Sequence, residues 1–282
     1  MIYDCFTFYN ELDILEIRLH ELYEVVDRFV LVEANWTFQG NPKPLYFAEN
    51  KSAFSRYADK IIYVRVDFPD CNLQSRLTTG PRDAIWAREH FQREQISQGL
   101  KDASPEDLII VGDVDEIISA AKLREAIAKR RPRELTIFEM PIYTGSVNRR
   151  LTGSIWEKGP RMIEFSDFPG AQHLRLTKVV AAKHLGNTFI GRFYTRYQNY
   201  ILRGMAIRLC VISDSGWHMT SIGDWTRYRD KILAYSHMDR ADREDFKYRE
   251  AFERRLSETT TPVDLAQLPK FVQENSERFA VS

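Results

Sequence analysis

The sequence predicts an α/β fold in which helices flank a mainly parallel sheet. Two observations carry this. Short apolar runs alternate with amphipathic, charge-rich stretches through the first half of the chain, the pattern of strands feeding crossover helices. The runs are apolar at consecutive positions, as in Phe29-Val30-Leu31-Val32 and Leu108-Ile109-Ile110-Val111, so both faces of the sheet must be covered.

In chain order, residues 2–8 read as a buried strand, Asn10-Glu11 as a turn, and Leu12, Leu15, Ile17, Leu19 and Leu22 as an approximately helical stripe. Residues 27–35 form the next strand, and the segment 36–44, with Gly40, Pro42 and Pro44, a loop. A strand at 60–66, an irregular stretch at 67–81, a helix at 82–100, a strand at 107–112, a helix at 120–130 and a strand at 135–140 follow. Beyond Tyr143 the pattern changes to short strands, aromatics and loops, then to charged helices near 225–236 and 243–256. From Thr259 the chain reads as an extended strap. The expected organisation is one domain over 1–258, with a first half at 1–118, a second at 119–220, helices at 221–258 and a tail at 259–282.

Forty Lys and Arg balance forty Asp and Glu, which argues against a nucleic acid partner bound through bulk positive charge. Cys5, Cys71 and Cys210 are scattered and form no CxxC pair, so neither a zinc site nor a disulfide framework is expected. No apolar run reaches transmembrane length, and the first residues lack a basic segment leading into an apolar one. The expectation is a chain with no transmembrane segment, located in the cytoplasm.

The sharpest local signal is Leu108-Ile-Ile-Val-Gly-Asp113-Val-Asp115-Glu116. An apolar strand delivers two carboxylates at its carboxyl end, where open α/β sheets bind ligands. Such a pair suits a divalent cation, which would neutralise charge on a departing diphosphate. The competing structural reading is that the acidic residues cap the next helix. A haloacid-dehalogenase-type phosphatase also uses Asp-x-Asp after a strand, normally the first core strand; here three apparent strands precede the motif.

Four segments give the sequence a family likeness: 11–22, 25–30 running into 33–47, the Asp113-Val-Asp-Glu-Ile117 motif, and Gly216-Trp-His218. Together they resemble glycosyltransferase family 17. The likeness is dense to about residue 118, thins, and returns at Gly216. It implies a GT-A-type fold, a Rossmann-like nucleotide-binding sheet joined to a C-terminal acceptor region. It also implies an inverting reaction with manganese or magnesium and a UDP-sugar donor, N-acetylglucosamine from UDP-GlcNAc, and a glycan acceptor. A non-catalytic carbohydrate-binding protein of the same fold is the other reading.

On this resemblance the metal ligands are Asp113, Asp115 and His218, with Asp113 also on the diphosphate. Glu11, Asp13, Glu33, Asn35 and Thr37 lie at or just past the ends of the first two strands, where base and ribose bind; for Glu11 and Asp13 helix capping is the alternative, for Asn35 and Thr37 turn chemistry. Arg93 matches a family arginine and suits phosphate geometry, with an i,i+4 pair to Glu89 as the alternative. Tyr143, Trp156 and Trp217 are candidates for stacking on sugars. A base must take the acceptor proton. Glu116, nearest the motif, is the first candidate, and Glu139 and Asp214 are alternatives.

Overall fold

The structure, a computed structural model, describes residues 1–68, 81–177, 188–193, 197, 208–234 and 242–279. Cys71 and most of the irregular stretch expected at 67–81 lie outside these residues.

The first-half strands form where the apolar runs predict them: β1 (Ile2–Phe8), β2 (Arg28–Ala34), β3 (Ile61–Val66) and β4 (Leu108–Asp113). The intervening helices are α1 (Leu12–Leu22), α2 (Tyr46–Glu49), which lies inside the connection from β2 to β3, and α3 (Pro81–Glu94). The end of the helix expected at 82–100 tightens into a 3-10 turn, Gln95–Leu100. The four strands pair in parallel in the order β3-β2-β1-β4. One face of the sheet buries Phe6, Phe8 and Leu31 against Leu15, Leu19 and Leu22 of α1; the other buries Cys5, Val30 and Val32 against Ile96 and Leu100. The consecutive apolar residues of each strand are thus shared between two layers, which is the Rossmann-like arrangement.

After β4 the chain changes sheet. β5 (Glu116–Ile118) starts three residues after Asp113 and belongs to a second sheet. α4 (Ala120–Lys129), β6 (Glu134–Phe138), β7 (Met140–Gly145), β8 (Arg149–Trp156) and β9 (Arg161–Glu164) follow. Then come α5 (Ala171–Arg175), β10 (Arg208–Ile212), β11 (Gly216–Ile222), α6 (Trp225–Ala234), α7 (Glu244–Lys247), α8 (Arg249–Thr259), β12 (Thr260–Pro262) and α9 (Lys270–Glu274). Among the described residues the first sheet runs β10-β6-β9-β4-β1-β2-β3, with β9 antiparallel to both its neighbours, and the second runs β12-β8-β7-β11-β5. The Asp-x-Asp motif therefore sits at the junction of the two sheets, and its strand is the fourth of the chain rather than the first that the phosphatase reading requires.

The strap expected from Thr259 is not extended throughout. Beyond Pro269 it turns into α9, which buries Phe271 and Val272 against Ile14 and Ile17 of α1. Among the described residues no helix is long and apolar enough to cross a membrane.

Candidate active site

The motif turn is held from below by a charge inside the core. Arg18 of α1 is fully buried, pairs with Asp4 of β1 at 2.6 Å, and donates to the carbonyls of Asp113, Val114 and Glu116. A buried guanidinium is tolerated only when paired and hydrogen-bonded, so Arg18 fixes the backbone that carries the carboxylates. β11 arrives on the other side of β5, antiparallel, with His218 opposite Glu116. Gly216 makes that approach possible, because a Cβ there would stand 2.0 Å from the Ile117 carbonyl oxygen.

The side chains of the motif are held by cations. Asp113 accepts from Arg93 and Arg175, each at 3.1 Å. Burial alone would raise its pKa, but Arg175 and Arg93 outweigh burial and hold it well below the usual carboxylate range. Asp115 accepts from Lys231 of α6 at 2.6 Å, and Lys231 also reaches Glu11 at 3.2 Å.

Glu116 is fully buried and accepts from Arg175 at 2.8 and 2.9 Å, from the Trp156 indole at 2.6 Å and from the Asp113 N–H at 3.0 Å. Both its oxygens are committed inward, so the base role expected of it is corrected: Glu116 positions Arg175 and the motif. Glu139 accepts from Ser213, and Asp214 is exposed at a positive φ of 51°; neither lines the cavity described next, which removes both as bases acting there.

A cavity of about 690 Å³ opens over the motif, with Arg93, Asp113, Asp115, Trp156, His218 and Lys231 on its wall. The helices α6–α8 close its far side through Tyr228, Arg243 and Arg255, so the second wall is not built by residues 119–220 alone. A narrow slot of about 20 Å³ lies at the ends of β1 and β2, lined by Tyr9, Glu11, Trp36, Thr37 and Lys43 among others. Lys231 joins the two spaces, since it touches Glu11 in the slot and Asp115 in the cavity.

Four of the seven residues expected at the donor reach these spaces: Glu11 and Thr37 in the slot, Arg93 and Asp113 in the cavity. The other three are corrected. Asp13 points outward to Arg278 at 2.8 Å and Arg227 at 3.4 Å. Glu33 is fully buried and accepts from the Phe47 and Ala48 N–H groups at the start of α2 and from the Tyr63 hydroxyl. Asn35 accepts from the Phe68 N–H. Arg93 also forms the i,i+4 pair with Glu89, at 2.9 Å. Of the aromatic candidates only Trp156 faces the cavity; Tyr143 is a core residue, and Trp217 packs beside the tail and donates to the Gln267 carbonyl. Arg18, Arg175 and Lys231 are the site residues that the sequence reading does not pick out.

The metal expectation can be tested on these contacts. Asp115 Oδ1 and His218 Nε2 stand 3.7 Å apart, within reach of one divalent cation bonded about 2.1 Å from each. Burial lowers the His218 pKa, with Asp115 opposing, so the imidazole is neutral near pH 7, and its Nδ1 is buried without a hydrogen-bond partner. Asp115 Oδ1 and His218 Nε2 therefore offer two ligand atoms at a spacing that one cation would span, with Lys231 on the other Asp115 oxygen. Asp113 does not join them, because both its oxygens face guanidinium groups. Among the described residues no group of three or more His, Cys, Asp or Glu is placed to hold an ion. The three-ligand set expected from sequence is not assembled, because Asp113 is turned to Arg93 and Arg175.

Burial also lowers the pKa of His20 and of His90. A histidine whose folded pKa is depressed takes up its proton first in the unfolded chain, at about 6.5. Stability from all three is thus full above pH 6.5 and is lost as pH falls through their folded values. Thermal melts from pH 8 to pH 5 are expected to show a falling Tm below 6.5, less so in His218→Gln; a flat or rising Tm contradicts the burial argument.

The comparisons with known proteins bear on this arrangement. Residues 1–136 match glycosyltransferase family 17. The family 17 match ends inside β6 and covers just under half of the chain; it takes in the parallel strands, Arg18, Arg93 and the motif, but not Arg175, His218 or Lys231. Among curated relatives, the β-1,4-mannosyl-glycoprotein 4-β-N-acetylglucosaminyltransferase of Homo sapiens is 36% identical over 115 residues, 38% of this chain and 20% of that protein. The mouse protein of the same name is 35% identical over the same length. The chain thus aligns to about a fifth of the length of the relatives it matches. Among solved structures, a Francisella tularensis 2-C-methyl-D-erythritol 4-phosphate cytidylyltransferase gives a TM-score of 0.36 at 10% identity, covering 75% of this chain and 89% of its own. A glucosyl-3-phosphoglycerate synthase of M. tuberculosis gives 0.35 at 11%, covering 77% and 72%. These two structural likenesses are too slight to argue from.

Proposed function

We propose that the protein is an inverting glycosyltransferase that moves a sugar, N-acetylglucosamine, from a UDP donor to a glycan hydroxyl. The observation that carries the reading is the meeting of Asp115 and His218 in the wall of the cavity, with Lys231 joining that point to the slot. The family 17 match supports it. On this reading the nucleoside enters the slot beside Glu11 and Thr37, the diphosphate crosses at Lys231, and the sugar lies in the cavity. The slot as it stands holds about one water, so the loop carrying Trp36 and Thr37 opens to admit the base.

A divalent cation bound by Asp115 and His218 would supply positive charge to the departing diphosphate. Lys231 adds a fixed positive charge at the same place, and a preorganised charge there stabilises the transition state more than the ground state. Arg93 and Arg175 hold Asp113 ionised and oriented. With Glu116, Glu139 and Asp214 removed as bases, we assign the acceptor proton to Glu89 on the cavity wall, which pairs with Arg93 at 2.9 Å, rather than to Asp113, held by two guanidiniums, or to Asp115, held by Lys231.

A thermal-shift panel tests the donor assignment. With manganese present, UDP at about 100 times its Kd should add ~2.7 kcal/mol of stability, and GDP much less. Equal stabilisation by the two nucleotides would remove the uridine assignment.

A further inference from the structure

The far end of the cavity contains a second charged device. Asp245 of α7 is buried and is shared by two guanidinium groups: Arg243 Nε lies 3.1 Å from one oxygen and Arg255 Nε 2.8 Å from the other. The Tyr228 hydroxyl donates to the same carboxylate at 3.0 Å. The Arg255 guanidinium lies 5.2 Å from the Tyr228 ring centroid and 5.4 Å from that of Phe252, and its Nη2 is buried with no hydrogen-bond partner. Both arginines are on the cavity wall.

Two features make this an anion site rather than a structural ion pair. The first is charge. One carboxylate, Asp245, serves two guanidiniums. At the motif end Arg93, Arg175 and Lys231 are matched by Asp113, Glu116 and Asp115; the surplus lies at the Arg243–Arg255 end. The second is geometry. Arg243 and Arg255 approach Asp245 through Nε, yet Arg255 Nε and Nη2 and Asp245 Oδ1 are all buried without a hydrogen-bond partner, and a guanidinium fork matches carboxylate and phosphate oxygens. Its position is that of an acceptor rather than a donor. Tyr228 and Lys231 lie three residues apart on α6, ~4.5 Å along the helix axis, so the pair stands next to the reacting centre without touching the motif.

We propose that Arg243 and Arg255 form an oxyanion clamp, and that the acceptor is accordingly a sugar bearing a carboxylate or a phosphate group. The proposal rests on the glycosyltransferase reading for the word acceptor; the clamp itself does not. The test is calorimetric titration of the full chain with magnesium and UDP, using 4-nitrophenyl β-glucuronide, glucose 6-phosphate and the neutral 4-nitrophenyl β-glucoside as probes. Wild type should bind at least one anionic probe tenfold or more tighter than the neutral one, and which anion is preferred tells carboxylate from phosphate. Arg243→Gln and Arg255→Gln should each reduce that preference fivefold or more and leave UDP affinity unchanged. Absence of any preference for an anion overturns the clamp. So does a loss of UDP affinity in either variant, which would give the arginines to the donor. If Arg255→Gln does not fold, since the Arg255 guanidinium lies against two rings, Arg243→Gln decides on a half-exposed side chain. Wild type that fails to bind UDP but keeps an arginine-dependent preference for the anion sinks the donor reading and leaves the clamp standing.

Discussion

Asp115→Ala is expected to lower sugar transfer at least ~10²-fold, with a loss of UDP affinity in manganese. Removing a single group that stabilises developing charge costs ~3–4 kcal/mol of activation free energy, and here the change removes a proposed metal ligand and the carboxylate that positions Lys231 at once. Glu89→Gln should separate from it: turnover falls while UDP binding stays near wild type, because a base acts in the chemical step and not in donor binding. Steady-state rates and UDP titrations on the two variants check this. Wild-type turnover in Asp115→Ala, or equal loss of UDP affinity in both variants, contradicts the division of roles.

Glu116→Ala is expected to have the largest effect on stability. The carboxylate is fully buried, and Arg175 on the cavity wall pairs with it. Burial by itself lowers the Arg175 pKa, but Glu116 and Asp113 reverse that and raise it above the usual arginine value. Truncating Glu116 leaves Arg175 with Asp113 as its one carboxylate partner, at a cost of ~3–5 kcal/mol, or a Tm drop of roughly 5–8 °C for a chain of this size. The Trp156 indole also loses its acceptor. A thermal melt checks it. A variant that melts with wild type and lacks only activity would restore Glu116 as the base.

The parallel half of the fold is legible in the sequence because its strands are buried on both faces and so read as unbroken apolar runs; β1 occupies residues 2–8 as expected. Asp113 and Asp115 are legible for the same reason, since the run ends on them. The misreadings concern direction rather than place. Glu11 immediately precedes α1 and Asp13 lies in its first turn, two residues on and so ~200° round the helix, and one faces Lys231 while the other faces Arg278 in solvent. Glu116 is close to the motif in sequence, but it opens β5 and points inward under Arg175. Arg175 itself belongs to a five-residue helix with no periodic signal of its own, and Lys231 lies on a helix whose charges suggest an outer face. Their roles come from tertiary packing that no local pattern records. Arg18 did leave a signal. It shares a helical stripe with Leu15 and Leu22, and a charged residue on an otherwise apolar stripe must find a buried partner, as it does in Asp4.

On the proposed function, the junction of the two sheets is a donor-cleaving site. It is tested most directly by measuring UDP released from UDP-N-acetylglucosamine, with and without manganese, by the wild-type chain and by Asp115→Ala. Release is expected to require the metal and to be lost in the variant. Wild-type chain that releases no UDP, or releases it equally without manganese and without Asp115, would contradict it.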